Sequence, residues 1–327
     1  LTCGGADDTF SAENSEMDFV FRKVICLLGL LPLMASAGPV TFVRHPGRIE
    51  VSISGQPFSN LYYGPDWPQP FLHPLRAASG TTITRGYPVE KIEGESQDHI
   101  WHHGLWYAHG DLNGVDFWRD KGPQTTGRIV IDGQPKTSRD TVSGHFRLVA
   151  PGGKVEGTME QAFRFRVEGD LRIVDVRITV HATKDAPLKF GDTEEGALGI
   201  RFRDEFREDR GAVITNSEGL RGTKQVWGKR AAWVDYTTTV GGEKLGAVMF
   251  DHPANPKYPA FWHARNYGLC AANPFGEHDF MKDKARDGSY TVPAGGTAVF
   301  RYRVAIHPGE LPEGLAARLA AEFAKEK

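Results

Sequence analysis

The residue types best suited to chemistry are concentrated between Asp98 and Trp118. Four of the 12 histidines of the chain fall in this segment, together with three tryptophans and three aspartates. Titratable and aromatic side chains at this density are costly to bury unless each finds a partner. Aromatic faces can cover the C–H surface of a polar ligand while Asp, Asn and His bond its hydroxyl groups. We therefore expect a polar-ligand site here, and the alternative is a run of hydrogen-bonded core histidines.

Three carboxylates form a second candidate site just before a predicted strand: Asp192, Glu194 and Glu195. Repulsion among crowded carboxylates raises the pKa of one of them toward neutrality, where it can act as an acid or a base. We expect Glu195, or else Asp192, to be the functional group, because Arg201 follows on the same strand and could hold a charge. A solvated acidic turn is the alternative.

A third polar segment runs from Asp251 to Gly276. If residues 261–265 form a strand, His263 and Arg265 lie on the same face, because side chains alternate along a strand. A histidine and an arginine projecting together can serve as a proton donor and as a clamp for an anion or carbonyl group.

Histidine-rich segments also raise the question of a metal ion. In an extended segment His99 and His103 share one face while His102 points away, so the first two could bind Zn²⁺, Fe²⁺ or Cu²⁺. The chain contains neither a CxxC pair nor an HExxH motif. We therefore expect no cofactor, and a transition metal on His99 and His103 is the alternative.

Alternating apolar and polar residues predict β-strands along almost all of the chain after residue 38. The clearest cases are segments 163–167 and 174–180, which Glu168-Gly169-Asp170 joins as a predicted hairpin. Segment 300–306 repeats the pattern. Shorter strands are predicted at residues 40–44, 48–53, 128–131, 145–149, 197–202, 231–236 and 245–250.

One helix is predicted, and it lies after Pro312. Leu315, Leu319 and Phe323 recur there at a spacing of four, which is typical of an amphipathic helix. In the strand before it, the alternation predicts that Arg301 and Arg303 face outward. The 38 glycines and 20 prolines suit many strands joined by turns. These features predict an all-β protein: one large antiparallel β-sandwich over residues 38–327 with a short C-terminal helix.

The first 37 residues have the pattern of an export signal. Arg22 and Lys23 precede an apolar run of 11 residues, and Ala35-Ser36-Ala37 is a small-residue cleavage site. The run is too short for a membrane span, which needs about 20 residues. We expect residues 17–37 to be a signal peptide, residues 1–16 to be a non-native upstream segment, and the mature protein to be periplasmic or extracellular.

Charge and cysteine content limit the classes of partner. The formal net charge is −2, whereas a nucleic-acid-binding protein would carry a basic surplus. We expect no nucleic-acid partner and no membrane span. Only Cys270 of the three cysteines lies beyond the predicted signal peptide. We expect it to be a buried, unreactive thiol in a chain without disulfides.

Across these segments the sequence resembles a bacterial family often labelled "PmoA" or "methane oxygenase". The matching stretches are Asp98-His99-x-x-His102-His103-Gly104, Asn113-Gly-Val-Asp116-Phe-Trp118, Asp192-Thr193-x-Glu195-Gly196, Asp251-His252-Pro, Trp262-His263-x-Arg265 and Asn273-Pro274-Phe275-Gly276. A membrane methane monooxygenase subunit would need several apolar stretches of about 20 residues, and the sequence has none outside the signal. We therefore reject the activity in that label.

The resemblance implies a β-sandwich of the galactose-mutarotase type, a fold that hosts epimerases, polysaccharide lyases and glycoside hydrolases. In such sites a histidine and a carboxylate act as an acid–base pair on a bound sugar. By residue type, His103 or His263 with Glu195 would form that pair.

We therefore expect an exported carbohydrate-active enzyme whose partner is a small-molecule carbohydrate. Alternatives are a non-catalytic carbohydrate-binding protein and a His-ligated metalloenzyme. The expected catalytic residues are His103, Glu195 and His263. The expected substrate-binding residues are Asp98, His99, His102, Asn113, Asp116, Trp118, Asp192, Arg201 and Arg265.

Overall fold

Antiparallel strands account for most of the architecture. The computed structural model describes residues 40–326, so the predicted signal peptide and upstream segment, with Cys3 and Cys26, lie outside the described residues. The strands in chain order are β1 (Val40–His45), β2 (Arg48–Ile53), β3 (Gln56–Tyr62), β4 (Phe71–Leu72), β5 (Leu105–His109), β6 (Arg128–Ile131), β7 (Lys136–Ser138), β8 (Thr141–Val149), β9 (Val155–Glu168), β10 (Leu171–Ala182), β11 (Leu188–Phe190), β12 (Gly196–Arg201), β13 (Val213–Asn216), β14 (Trp233–Val240), β15 (Glu243–Asp251), β16 (Phe261–Ala264), β17 (Leu269–Asn273), β18 (Tyr290–Val292) and β19 (Thr297–Pro308).

Helices are short by comparison. They are α1 (Thr223–Val226), α2 (Glu277–Phe280) and α3 (Leu315–Phe323), with 3₁₀ turns at Asp204–Phe206 and Glu208–Arg210. The predicted C-terminal helix is confirmed as α3. No helix within residues 40–326 is both long and apolar enough to cross a membrane.

The strands form two large sheets and one small one. The first sheet has the order β1-β2-β3-β4-β5-β12-β17-β16, and the second has the order β13-β14-β15-β19-β10-β9-β8-β6, with β7 paired to β8. Strands β11 and β18 form the small sheet. Every pairing among these strands is antiparallel. This confirms the predicted all-β class.

The two large sheets pack face to face over one apolar core. Phe165 of the second sheet contacts Phe42 and Phe58 of the first, with ring centroids 6.1 and 5.9 Å apart. At the other end, Tyr107 lies 5.8 Å from Phe300. The alternation that predicted β9, β10 and β19 therefore has a physical origin, since their apolar residues form the inner face of a sandwich.

The prediction that Arg303 faces water is wrong. Arg303 does point away from the sandwich core, but α3 covers it and leaves it fully buried. Its guanidinium donates to Asp175 at 2.5 Å and to Glu326 at 2.6 Å, and it lies 4.7 Å from the ring of Phe323. Strand periodicity identified the face correctly but could not show that a helix covers it.

The docking of α3 can be tested by shortening one side chain. Leu319 is fully buried on the outer face of the second sheet, beside Ile173, Val248 and Phe250. We expect Leu319→Ala to lower the free energy of unfolding by about 2–4 kcal/mol in urea titrations, because it removes buried methyl groups and leaves a cavity. The half-buried Leu315 is the control, and Leu315→Ala should cost about 1 kcal/mol or less. Equal losses would contradict this docking.

Candidate functional site

Four adjacent strands of the first sheet build a row of residues on its outer face. Tyr107 points into the core, so its neighbour Trp106 points outward. The register then pairs Trp106 with Gly199, Gly199 with Ala271, and Ala271 with His263. This row crosses β5, β12, β17 and β16, and it is the platform on which the three polar segments meet.

Aromatic rings form a continuous stack over this platform. Tyr267 stacks on His99 at 5.3 Å and His99 on His102 at 4.8 Å, with nearly parallel rings. The stack continues from His102 to Trp106 at 5.2 Å and from Trp106 to Trp118 at 4.8 Å. We call these five residues the aromatic stack.

A glycine gives the stack its space. A Cβ at Gly199 would lie 2.8 Å from the indole rings of both Trp106 and Trp118, closer than carbon atoms can approach. The two tryptophans therefore lie directly on the backbone of β12. A larger residue at this position would push the stack off the sheet.

Asp98 is held by two buried arginines. Its Oδ1 accepts a bond from Arg85 at 2.9 Å and from Arg201 at 2.8 Å, and both guanidinium groups are fully buried. Its Oδ2 pairs with Nδ1 of His99. Burial acts to raise the pKa of Asp98, but the bond from His99 and the two arginines lower it well below its usual value. Asp98 is therefore a fixed anion that orients the His99 ring.

His102 is an uncharged side chain that packs beside Arg201. Its Nδ1 lies 3.2 Å from Nη1 of Arg201, which can only donate, so the His102 proton is on Nε2. Burial and the Arg201 charge lower the pKa of His102 well below its usual value. The structure thus gives His102 a packing and orienting position.

Glu195, the carboxylate expected to be functional, is held by an arginine next to Trp118. Arg119 donates to its Oε1 at 2.9 Å and to Asp116 at 3.0 Å. Asp116 also accepts the backbone N–H groups of Trp118 and Arg119. Oε2 of Glu195 makes no hydrogen bond within residues 40–326. Burial raises the pKa of Glu195 more than Arg119 lowers it.

His263 presents a free nitrogen from the far end of the row. Its Nδ1 donates to the backbone oxygen of Glu194 at 2.9 Å, which leaves the Nε2 lone pair without a partner among the described residues. Burial lowers the pKa of His263 to about 4, and the nearby Arg265 acts in the same direction. At neutral pH His263 is therefore a hydrogen-bond acceptor and not a cation.

Direct contacts join the three polar segments. His99 of the first stacks on Tyr267 of the third, and His263 of the third donates to the backbone oxygen of Glu194 in the second. The guanidinium of Arg265 lies 5.5 Å from the ring of Tyr267 and has no carboxylate partner within residues 40–326. The three polar segments therefore meet, and we call His99, Glu195, His263, Arg265 and the aromatic stack the candidate site.

His103, one of the expected catalytic residues, lies one strand further along, over Phe71 of β4, which pairs with Trp106. It packs against Phe71 at 4.8 Å and Trp67 at 5.3 Å, and its Nδ1 is 3.4 Å from the amide nitrogen of Gln69. Burial lowers its pKa to about 3. Its surroundings are those of a core histidine, which is the alternative that the sequence left open.

The extended conformation assumed for the histidine segment is wrong. His99 has a left-handed backbone with φ of 47°, and its carbonyl accepts the N–H of His102 in a turn. His99 therefore stacks on His102 and does not share a face with His103. Among residues 40–326, no three His, Cys, Asp or Glu side chains converge as metal ligands.

Two other expected substrate-binding residues connect loops. Asn113 donates to Glu156 at 2.9 Å and accepts the N–H of Lys189 at 2.8 Å. Asp192 accepts the N–H groups of His278 and Gly288. The structure does not bring either side chain into the candidate site.

Cys270 lies in the core. Burial raises the pKa of its thiol well above the usual value, and it is the only cysteine among the described residues. The thiol is unreactive in this state, as the sequence predicted.

The sequence patterns do not single out Arg119, Tyr267 or Arg85. Arg119 directly follows Trp118, the last residue of the first polar segment, and Tyr267 lies within the third segment, two residues after Arg265. Arg85 is 13 residues upstream of Asp98 and reaches it only through the fold. No local pattern in the sequence indicates that contact.

Removing the shared carboxylate tests the anchoring of the site. Asp98→Asn leaves two buried guanidinium groups without their common anion. We expect the free energy of unfolding to fall by about 2–3 kcal/mol, less than for a fully buried pair because the Asp98 side chain is 39% exposed. Asp209→Asn breaks an exposed pair with Arg207 and should leave the free energy of unfolding almost unchanged. A loss at Asp98 no larger than at Asp209 would contradict the anchoring.

Several solved structures resemble the chain. A galactose mutarotase-like protein from Lactobacillus casei is 10% identical, with a TM-score of 0.40, over 82% of this chain and 100% of that one. A galactose mutarotase related enzyme from Lactobacillus acidophilus is 9% identical, with a TM-score of 0.39, over 82% and 97%. The GalM/aldose epimerase homologue from C. elegans is 9% identical, with a TM-score of 0.32, over 84% and 100%.

The family comparison covers most of the described residues. No protein with a curated description matches the chain. The family match spans residues 48–321, which include every residue of the candidate site, and the description of the family assigns no function to its members. The chain belongs to the family of unknown function DUF6807.

Proposed function

We propose that the protein is an exported carbohydrate-active enzyme, acting in the periplasm or outside the cell, that performs acid–base chemistry on a sugar or glycoside. The observation that carries the proposal is the meeting of two proton-transfer groups on one aromatic platform. One is Glu195, with a raised pKa and a free Oε2. The other is His99, oriented by the fixed anion of Asp98.

Glu195 is suited to accept or donate a proton. A carboxyl group works best as a general base or acid when its pKa approaches the working pH, and burial moves Glu195 in that direction. Arg119 holds one oxygen, so the carboxylate has a defined orientation. The second oxygen remains free to contact a substrate hydroxyl or C–H group.

His99 is suited to the complementary step. Asp98 accepts from its Nδ1, so the other nitrogen, Nε2, is the one available for proton transfer. Because Arg85 and Arg201 fix Asp98, the ring cannot turn without breaking that contact. A histidine oriented in this way by a carboxylate is a common general acid or base.

The remaining groups suit a sugar as the substrate. The half-buried rings of Tyr267 and Trp101 offer apolar faces for sugar C–H groups. The Nε2 of His263 can accept a hydrogen bond from a hydroxyl group, and the unpaired guanidinium of Arg265 can donate to ring or carboxylate oxygens. Hydrolysis, elimination and epimerisation all use an acid–base pair, and the reaction products distinguish them.

An activity screen with a matched variant tests the proposal. Wild-type protein should convert at least one member of a panel of glycosides, uronides and free sugars. We expect Glu195→Gln to lower kcat/KM by about 10²–10⁴-fold, the usual contribution of a general acid or base, while sugar binding is retained. Glu205→Gln, which changes a half-buried carboxylate paired with Arg203, should leave activity unchanged. Sugar binding without turnover of any panel member would favour a non-catalytic binding protein.

Variants of His99 and His103 provide a second test, because they show which of the two histidines takes part in catalysis. His99→Asn should lower kcat/KM by about 100-fold with little loss of stability, because it removes a proton-transfer group from a partly exposed side chain. His103→Asn should lower the free energy of unfolding by about 1–3 kcal/mol and leave kcat/KM of the folded protein near that of wild type. Kinetics combined with thermal unfolding will separate the two effects. Loss of activity in His103→Asn together with near wild-type activity in His99→Asn would instead identify His103 as the catalytic residue.

A further inference from the structure

A separate groove lies on the outer face of the second sheet. Its cavity volume is about 490 Å³, within the range of small-ligand sites. Outward-facing residues of β13 and β14 form the floor, and the segment around Leu311, before α3, forms one wall. On β14, Tyr236 points the other way and donates to the Leu269 oxygen of the first sheet at 2.9 Å. The sandwich core therefore separates this groove from the candidate site.

The floor is polar and ordered. Asp235 is buried and accepts bonds from His307 Nε2 at 3.0 Å and from the Thr237 hydroxyl at 2.7 Å. Because Thr237 donates its only proton to Asp235, its oxygen can act only as an acceptor toward the groove. Thr215 and Thr239 add further hydroxyl groups.

The rim supplies a charged donor. Asn216 pairs with Val234 on the core side of β13, so its buried amide does not face the groove. The Arg221 side chain lines the same groove and makes no ion pair within residues 40–326.

The remaining walls contain charges that cancel in sum and one aromatic ring. Lys244 pairs with Glu310 at 2.5 Å, so these two side chains neutralise each other. Arg221 and the buried Asp235 carry the other two charges, and the groove has no formal net charge. The half-buried ring of Trp233 lies beside Asp235 on the same face of β14 and adds an aromatic surface for C–H groups.

From these features we propose that the groove binds a neutral oligosaccharide of two to three sugar units. Hydroxyl groups both donate and accept, and the groove offers an acceptor at Thr237 and donors at Arg221. The balanced charge favours a neutral ligand over an acidic one. The site lies apart from Glu195 and His263, so it holds a glycan without taking part in the chemistry proposed there.

The test uses calorimetric titration of the whole chain with maltotriose, cellotriose and xylotriose. At least one should bind the wild type with a Kd on the order of 1 mM. Trp233→Ala removes the aromatic face, and Thr239→Arg places a long cation in the groove from an exposed position. Each should weaken binding at the groove at least about tenfold, which corresponds to 1.4 kcal/mol.

Two control variants locate the binding. Thr291→Arg changes an exposed strand threonine outside the groove and should bind as the wild type does. Glu195→Gln should also retain groove binding, whatever its effect on turnover. Failure of all three trisaccharides to bind would overturn the proposal. Binding unchanged in both Trp233→Ala and Thr239→Arg would also overturn it and would assign the sugar to the candidate site.

Discussion

The contact on which the candidate site depends is one carboxylate shared by two buried guanidinium groups. Arg85 comes from a loop after the first strands, Arg201 ends β12, and Asp98 joins them. Removing two cations from water is unfavourable unless an anion is fixed between them. Satisfying that requirement also fixes the loop that carries His99, so a structural constraint determines where the proton-transfer group lies.

Small residues make the rest of the geometry possible. Gly199 and Ala271 occupy the middle of the four-strand row, and a larger side chain at Gly199 would displace the two tryptophans above it. The absence of a side chain at Gly199 is therefore as important to the platform as the rings that pack on it. Trp106 and His263 lie at the two ends of the row.

Most of the fold could be predicted from the sequence, because a half-buried strand alternates apolar and polar residues whatever its partners. The segments that form the candidate site could also be predicted, since Asp98, Glu195 and His263 lie where polar residues interrupt that pattern. The role of each histidine could not be predicted from the sequence. It depends on a turn at His99, with φ of 47°, that places His99 in the stack and His103 against Phe71 of β4. The burial of Arg303 under α3 could not be predicted either, because periodicity shows which way a side chain points and not what lies above it.

The strand order has a consequence for how the second sheet forms. Strand β19 lies between β15 and β10 and is the only strand that joins the block β13-β14-β15 to the block β10-β9-β8-β6. Until β19 pairs, both blocks present an open edge, and open edges of apolar strands are sites of aggregation. Sheet closure therefore requires contacts between strands that are distant in the chain, and topologies dominated by such contacts fold slowly.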